Sequence, residues 1–149
     1  MAEKSISFTL TNKQQCFQCF QPIVEEFGAA NGLKSKTVFH LTLVLDELIT
    51  NIISYGYADH DEHPIEVSIS LDRDTLRIRL EDDARPFNIL EAPEPELDLP
   101  LEERARPIGG MGVHLVRNMM HNIAYKRENG KNILLLEKQL TQNGCDSRN

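Results

Sequence analysis

Ser5-Ile6-Ser7-Phe8-Thr9-Leu10 alternates polar and apolar residues, the two-residue period of a strand with one buried face. Thr11-Asn12-Lys13-Gln14 then has the spacing of a capping box. Phe17, Phe20, Val24 and Phe27 recur at intervals of three and four, so a helix is expected to open there and to end at Gly28 to Gly32. A second helix is expected from near Ser35 to Tyr55-Gly56, with Val38, Leu41, Leu45, Leu48 and Ile52 as its core stripe. Ile65, Val67, Ile69 and Leu71, followed by Leu76, Ile78 and Leu80, alternate on either side of Asp72-Arg73-Asp74, the pattern of an antiparallel hairpin.

Residues 84–108 break the periodicity. Five of the seven prolines (Pro86, Pro93, Pro95, Pro100, Pro107) fall there among several acids. A connection of this length inside one domain is usually functional, and it reads as a lid over about 84–111. Gly112, Val113, Val116, Met119, Met120 and Ile123 trace a third helix, and Asn129-Gly130 turns a last hairpin between Ile123–Lys126 and Ile133–Leu136. The polar tail from Thr141 is expected to fray. The order β-α-α-β-β-lid-α-β-β predicts a two-layer α/β sandwich, a mixed sheet with helices on one face.

A chain of 149 residues suits a single domain spanning 1–149, with 40% hydrophobic and 26% charged residues. The net charge of −7 argues against direct nucleic-acid binding, which wants a basic face. No apolar run is read as a membrane span, and Met1-Ala2-Glu3-Lys4-Ser5 has no signal-peptide character, so a cytoplasmic protein is expected. Three cysteines make no disulfide framework, and Cys16-x-x-Cys19 reads as two small side chains on a helix. Asp59-His60-Asp61-Glu62-His63 reads as a solvated loop rather than a metal site.

Chemistry concentrates in three places. On the second helix Glu47 and Asn51 stack on one flank, roughly 80–140° from the apolar stripe. A carboxylate there can act as general base, and a neutral amide oxygen suits Mg²⁺. Gly109-Gly110-Met111-Gly112, ahead of the third helix, frees backbone N–H groups for phosphate oxygens at a helix start. Asp82 ends a strand, where a buried carboxylate can accept a hydrogen bond from an exocyclic amine such as that of adenine. Together these point to a nucleoside triphosphate.

The same residues resemble a known arrangement. Glu47-x-x-x-Asn51 looks like the N-box of the Bergerat-fold (GHKL) ATPases, the superfamily of gyrase, Hsp90, MutL and histidine kinases. Glu81-Asp82-Asp83-Ala84-Arg85-Pro86-Phe87 looks like its adenine-binding box, and Gly110-Met111-Gly112 like the glycine box that closes the ATP lid. Within the superfamily, the segment Asp46 to Tyr57 and Arg85-Pro86-Phe87 are most similar to bacterial anti-sigma-factor serine kinases. The resemblance covers about residues 5–140. It implies ATP and Mg²⁺ as cofactors, a STAS-domain anti-anti-sigma protein as phosphorylated partner, a sigma factor as client and a homodimer. It gives Glu47 the role of base, Asn51 that of metal ligand and Asp82 that of adenine reader. Gly110, Met111, Gly112 and Val113 would hold the nucleotide, and Arg106 the γ-phosphate, for which a guanidinium is suited. The chain departs from the pattern at Ala84 and Pro86, which stand at glycine positions, and at Lys131-Asn132, where threonine is frequent. Its first helix lacks an arginine that some of these kinases use. Two other functions fit the same residues: a non-catalytic ATP-binding module that sequesters a regulatory partner, and the ATP-binding fragment of a histidine kinase. Glu47 disfavours both, since binding alone needs no base and histidine kinases often carry asparagine there.

Overall fold

In the computed structural model, which describes residues 4–13, 19–91 and 110–140, the chain begins with β1 (Ser5–Thr11), α1 (Gln21–Ala30) and α2 (Ser35–Tyr55). A hairpin of β2 (Pro64–Asp72) and β3 (Thr75–Asp82) follows, then a single 3-10 turn at Ile89–Glu91. The chain resumes with α3 (Gly110–Met119), β4 (Asn122–Glu128) and β5 (Lys131–Gln139). This is the element order read from the polarity pattern.

The start of the first helix differs from that reading. Thr11 is the last residue of β1, paired with Pro64, and its Oγ1 accepts the Lys13 N–H at 3.3 Å. The rest of the expected capping box, at Gln14, lies outside the described residues. α1 is placed at Gln21, with Pro22 in its first turn, where a missing N–H costs nothing. Residues 14–18, including Phe17 and Cys16, lie outside the described residues, as do most of the expected lid and the tail from Thr141. Cys19 is half-buried and packs against the core.

The sheet order is β1-β2-β3-β5-β4. Every neighbouring pair is antiparallel, which corrects the expectation of a mixed sheet. The crossover from β3 through α3 does return to a strand parallel to β3, namely β4. The tight hairpin then inserts β5 between them, so the parallel pair never touches. That hairpin turns at Asn129 (φ 53°) and Gly130 (φ 77°), both in the left-handed region that a two-residue turn of matching twist requires.

Register places the apolar alternation on one face: Val67 opposes Leu80 and Ile69 opposes Ile78, all at most 1% exposed. α2 lays Leu41, Val44, Leu45, Leu48 and Ile49 into that face, and Val24 and Phe27 of α1 extend the same core. The other face is polar, with Arg77 Nε donating to Glu137 at 2.7 Å and the Ser7 and Ser68 hydroxyls 3.1 Å apart. α2 is, by length and composition, apolar enough to cross a membrane (21 residues, hydropathy 1.3), contrary to the reading that no stretch was. Its apolar stripe is nonetheless committed to the sheet.

Ile123 belongs to β4 and not to α3, which ends at Met119. The end of α3 is held from below by Lys138, which is 1% exposed and donates from Nζ to the Met119 carbonyl at 3.0 Å. A cation at a helix C-terminus is favourable to the helix dipole. It also fixes the helix whose opposite end carries the glycines.

Candidate functional site

Between α2, the ends of β3 and β5 and the turn after β3 lies a cavity of about 510 Å³. Its walls are largely apolar and aromatic: Leu48, Ile52 and Tyr55 from α2, Leu80 and Leu134 from the sheet, Pro86 and Phe87 from the turn. Asn51, Asp82, Arg85 and Asn132 are among the polar residues that line it. An apolar slot with a few placed polar groups is what a flat organic ligand needs.

Asp82 is the last residue of β3 and 6% exposed. Its Oδ1 accepts two bonds, from the Ala84 N–H at 3.0 Å and from Asn132 Nδ2 at 2.9 Å. Oδ2 receives neither, and Asp82 lines the cavity. Burial pushes this carboxyl above the usual range, while the Asn132 and Ala84 bonds pull it back. Asn132 faces Asp82 directly across the β3–β5 ladder. Its Nδ2 also donates to the Arg85 carbonyl at 2.9 Å, and its Oδ1 accepts from the Tyr125 hydroxyl at 2.5 Å and the Phe87 N–H at 3.4 Å.

At the other end, Glu47 sits against the first turn of α3. A Cβ built on Gly112 would overlap Glu47 Oε2 and lie 2.9 Å from its Cδ, so only glycine admits the carboxylate this close to the helix start. Burial, and then the neighbouring Asp46 charge, hold Glu47 above its ordinary pKa, the direction that suits a base working near neutrality. One turn along α2, Asn51 lines the cavity, and its Nδ2 is buried without a hydrogen-bond partner among the described residues. A buried carboxamide with spare capacity beside a cavity is a group waiting for a ligand. Among the described residues no cluster of three or more His, Cys, Asp or Glu could hold a metal by itself.

The acidic loop after α2 is more ordered than a solvated loop. His63 stacks on Tyr57 (ring centres 4.2 Å apart, 14° between planes) and sets Nε2 2.8 Å from Asp59 and Nδ1 3.0 Å from Asp83. Asn12 closes the loop from β1, exchanging bonds with the His63 backbone and donating to the Asp61 carbonyl. The Gly56 carbonyl in turn accepts the Arg85 N–H at 2.9 Å, so the loop braces the turn over the cavity.

The structure thus brings together Asn51 with Asp82 around one cavity, and Glu47 with Gly112 one helical turn from Asn51. Gly110, Met111 and Gly112 form the first turn of α3, and the Val113 side chain is core, 1% exposed, which leaves only its backbone for a ligand. Arg106 and Gly109 lie outside the described residues. Sequence reasoning missed Asn132 and the His63 brace. The first was within reach: pairing the 72–74 hairpin strand with the last strand puts position 132 opposite Asp82. The second depends on a contact between residues 20 apart in irregular backbone, which no periodicity encodes.

Comparison with known proteins bears on the family and the fold. The description "Histidine kinase-like ATPase domain" matches residues 15–138. The serine/threonine-protein kinase BtrW of Bordetella bronchiseptica is 32% identical over 113 residues, 76% of this chain and 78% of that protein. The serine-protein kinase RsbW of Listeria monocytogenes is 24% identical over 119 residues, 75% of each. Among solved structures, the blue-light activated histidine kinase of Erythrobacter litoralis EL346 superposes with a TM-score of 0.52 at 21% identity, over 74% of this chain and 32% of that one, which bears on the fold alone.

Proposed function

From the premise that this chain belongs to the histidine kinase-like (GHKL) ATPase family, we propose that it is an ATP-dependent protein serine/threonine kinase, a partner-switching regulator of the anti-sigma type. Its substrate in this reading is a serine on a small STAS-domain anti-anti-sigma protein, its client a sigma factor, and its setting a cytoplasmic homodimer. The observation that carries the kinase reading is the Glu47 carboxylate lying against Gly112, one helical turn from Asn51. A module that only held nucleotide needs no base at that place.

The residues fit the implied cofactor. The apolar slot would take adenine, with the Asp82 carboxylate as acceptor for its exocyclic amine. The first turn of α3 offers backbone N–H groups to the phosphates. The Asn51 carboxamide, unpartnered at Nδ2, supplies a neutral oxygen for Mg²⁺, an ion that takes few protein ligands and keeps the rest for water and phosphate. When bound, that ion neutralises phosphate charge. Glu47 accepts the proton of the partner's serine hydroxyl as its oxygen forms the bond to the γ-phosphorus. The bond from that phosphorus to the β–γ bridging oxygen breaks, and ADP leaves. The test is transfer of label from γ-labelled ATP to STAS proteins that co-purify with the chain. Transfer by wild type supports the kinase. ATP binding without transfer to any such partner leaves the sequestering module.

A further inference from the structure

His63 joins two stretches of irregular backbone that share a wall of the cavity. Tyr55 and Gly56 line it from the end of α2, Ala84 and Arg85 from the turn after β3. The stretches meet at Gly56, where a Cβ would come within 2.6 Å of Ala84 Cβ, and the Gly56 carbonyl accepts the Arg85 N–H. Outside that contact, side chains hold them together. His63, just ahead of β2, sets Nδ1 3.0 Å from Asp83 Oδ2 and Nε2 2.8 Å from Asp59 Oδ1. Its ring stacks on Tyr57, whose hydroxyl donates to the other Asp83 oxygen at 3.3 Å. A neutral imidazole has one N–H and one lone pair, so it donates to one of these carboxylates and turns a lone pair on the other. The imidazolium has two N–H groups and serves both. The geometry matches the protonated ring. The charges acting on that ring are Asp83 and Asp59, while Lys13, past β1, acts on Asp59, and Asp82 with Asp83 on Tyr57. From β1 the uncharged Asn12 meets the His63 backbone.

We propose that His63 is a positioning residue for this wall and that its proton sets nucleotide affinity: the imidazolium clamps the loop after α2 to the turn after β3 through Asp59 and Asp83, and the neutral ring releases one of the two. The proposal rests on the nucleotide reading above. His63 does not line the cavity, so it acts through the turn it holds. A clamped wall is ordered before the ligand arrives, whereas a released one has to be ordered on binding, which costs affinity. Affinity is therefore highest with the ring protonated and falls as pH rises through the His63 value. The Asp83 bond and then the Asp59 bond hold that value above 6.5. By linkage, bound nucleotide raises it further.

Two variants with opposite effects on the clamp test this. His63→Gln leaves a side chain that does not titrate and cannot serve two carboxylates as a cation. Asp83→Asn keeps an oxygen for the Tyr57 hydroxyl and offers an N–H in place of Oδ2, so a neutral imidazole can accept from it while donating to Asp59. ATP affinity is measured by calorimetry on the full chain from about pH 6 to about pH 9, with melting temperatures alongside. Glu47, Asp82 and the nucleotide titrate in all three proteins, so the comparison isolates His63. Relative to His63→Gln, wild type should lose about threefold to tenfold in affinity across that range, the reach of one partly exposed hydrogen bond. Asp83→Asn should keep a constant ratio to His63→Gln. Ring NMR, with the five histidines assigned in sequence, should show ATP raising the His63 midpoint in wild type by roughly 0.5–1. A wild type that follows His63→Gln at every pH overturns the proposal, as does an Asp83→Asn protein that keeps the wild-type profile or a midpoint that ATP leaves in place. Should either variant fail to fold, the midpoint with and without ATP decides. A wild type that binds no ATP at any pH removes the nucleotide reading and this proposal with it, a result distinct from binding that ignores the His63 proton.

Discussion

The two halves of the candidate site are built on opposite terms. At the Asp82 end the chain satisfies itself: Asp82 Oδ1 takes two donors, Asn132 uses all its capacity, and the turn's carbonyls and N–H groups are met from β5 and β4. At the Glu47 end the chain leaves groups unmet: Asn51 Nδ2 is buried without a partner among the described residues, and burial raises the Glu47 carboxyl. Satisfied buried networks are rigid and specify one geometry, whereas an unmet buried group costs roughly 1–3 kcal/mol until something binds it. One end therefore recognises by shape fixed in advance, and the other holds reactive groups that a ligand completes.

The largest expected effect breaks the reactive end alone. Glu47→Gln keeps size and hydrogen bonding but removes the base, so phosphoryl transfer to a STAS partner should fall by about 10²–10⁴-fold with ATP affinity within a few-fold of wild type. Initial rates and calorimetry on the same preparations check this pair. A variant that transfers as fast as wild type shows that Glu47 is not the base.

The rigid end answers to Asp82→Asn. Replacing the cavity-lining acceptor removes a bond to adenine worth roughly 1.5–3 kcal/mol, so ATP affinity should fall by about 10–100-fold, to below detection if wild-type binding is weak. Stability should move the other way. Burial raises the folded-state pKa of Asp82, so the folded chain holds this proton more tightly than the unfolded one. Its contribution to stability is complete below the ordinary carboxylate value and is lost as pH rises through the raised one. At neutral pH the neutral amide relieves that cost, and the apo variant should melt no lower than wild type. Unchanged ATP affinity in a folded variant removes Asp82 from the site.

The same contrast explains what was legible in the sequence. α2 announced itself from Ser35 to Tyr55 because its stripe is long and regular, and it carried Glu47 and Asn51 with it. The strands β2 and β3 alternate cleanly, so Asp82 could be placed at a strand end. The antiparallel sheet was misread because polarity reveals which face of a strand is buried but not which strand lies beside it. Asn132 and His63 escaped for a related reason: each has a key partner far off in sequence, Asp82 for Asn132 and Asp83 for His63.

Two changes sharpen the reactive end with smaller effects. Asn51→Ala should reduce the dependence of nucleotide binding on Mg²⁺, since the ion loses its protein oxygen. A titration of ATP affinity against Mg²⁺ that superposes on wild type contradicts the metal role. Gly112→Ala places a methyl where Glu47 Oε2 lies, and the carboxylate, being the end of a flexible side chain, can swing aside. The melting temperature should change little while transfer falls by about tenfold or more, a loss consistent with a misplaced base. A large drop in melting temperature with full activity in the surviving fold reverses that assignment.

The smallest effect concerns the brace that joins the α2 loop to the rigid end. Both ring nitrogens of His63 face carboxylates, so both donate when the ring is protonated. The Asp83 and then the Asp59 bonds raise the His63 pKa above its ordinary 6.5, with partial burial opposing, while the His63 bond is the first cause that lowers Asp59 below 3.8. The raised histidine contributes stability that is complete below 6.5 and is lost as pH rises through its folded value. The lowered aspartate contributes stability that is complete above 3.8 and is lost as pH falls through its folded value. The brace is therefore tightest between these two ordinary values. His63→Gln keeps a polar side chain but cannot serve two carboxylates as a cation. Its melting temperature should lie a few degrees or less below wild type near pH 6 and converge on it by about pH 9, the window being set by the histidine. A difference that is the same at both pH values shows that the ring acts by stacking on Tyr57 and not by its charge.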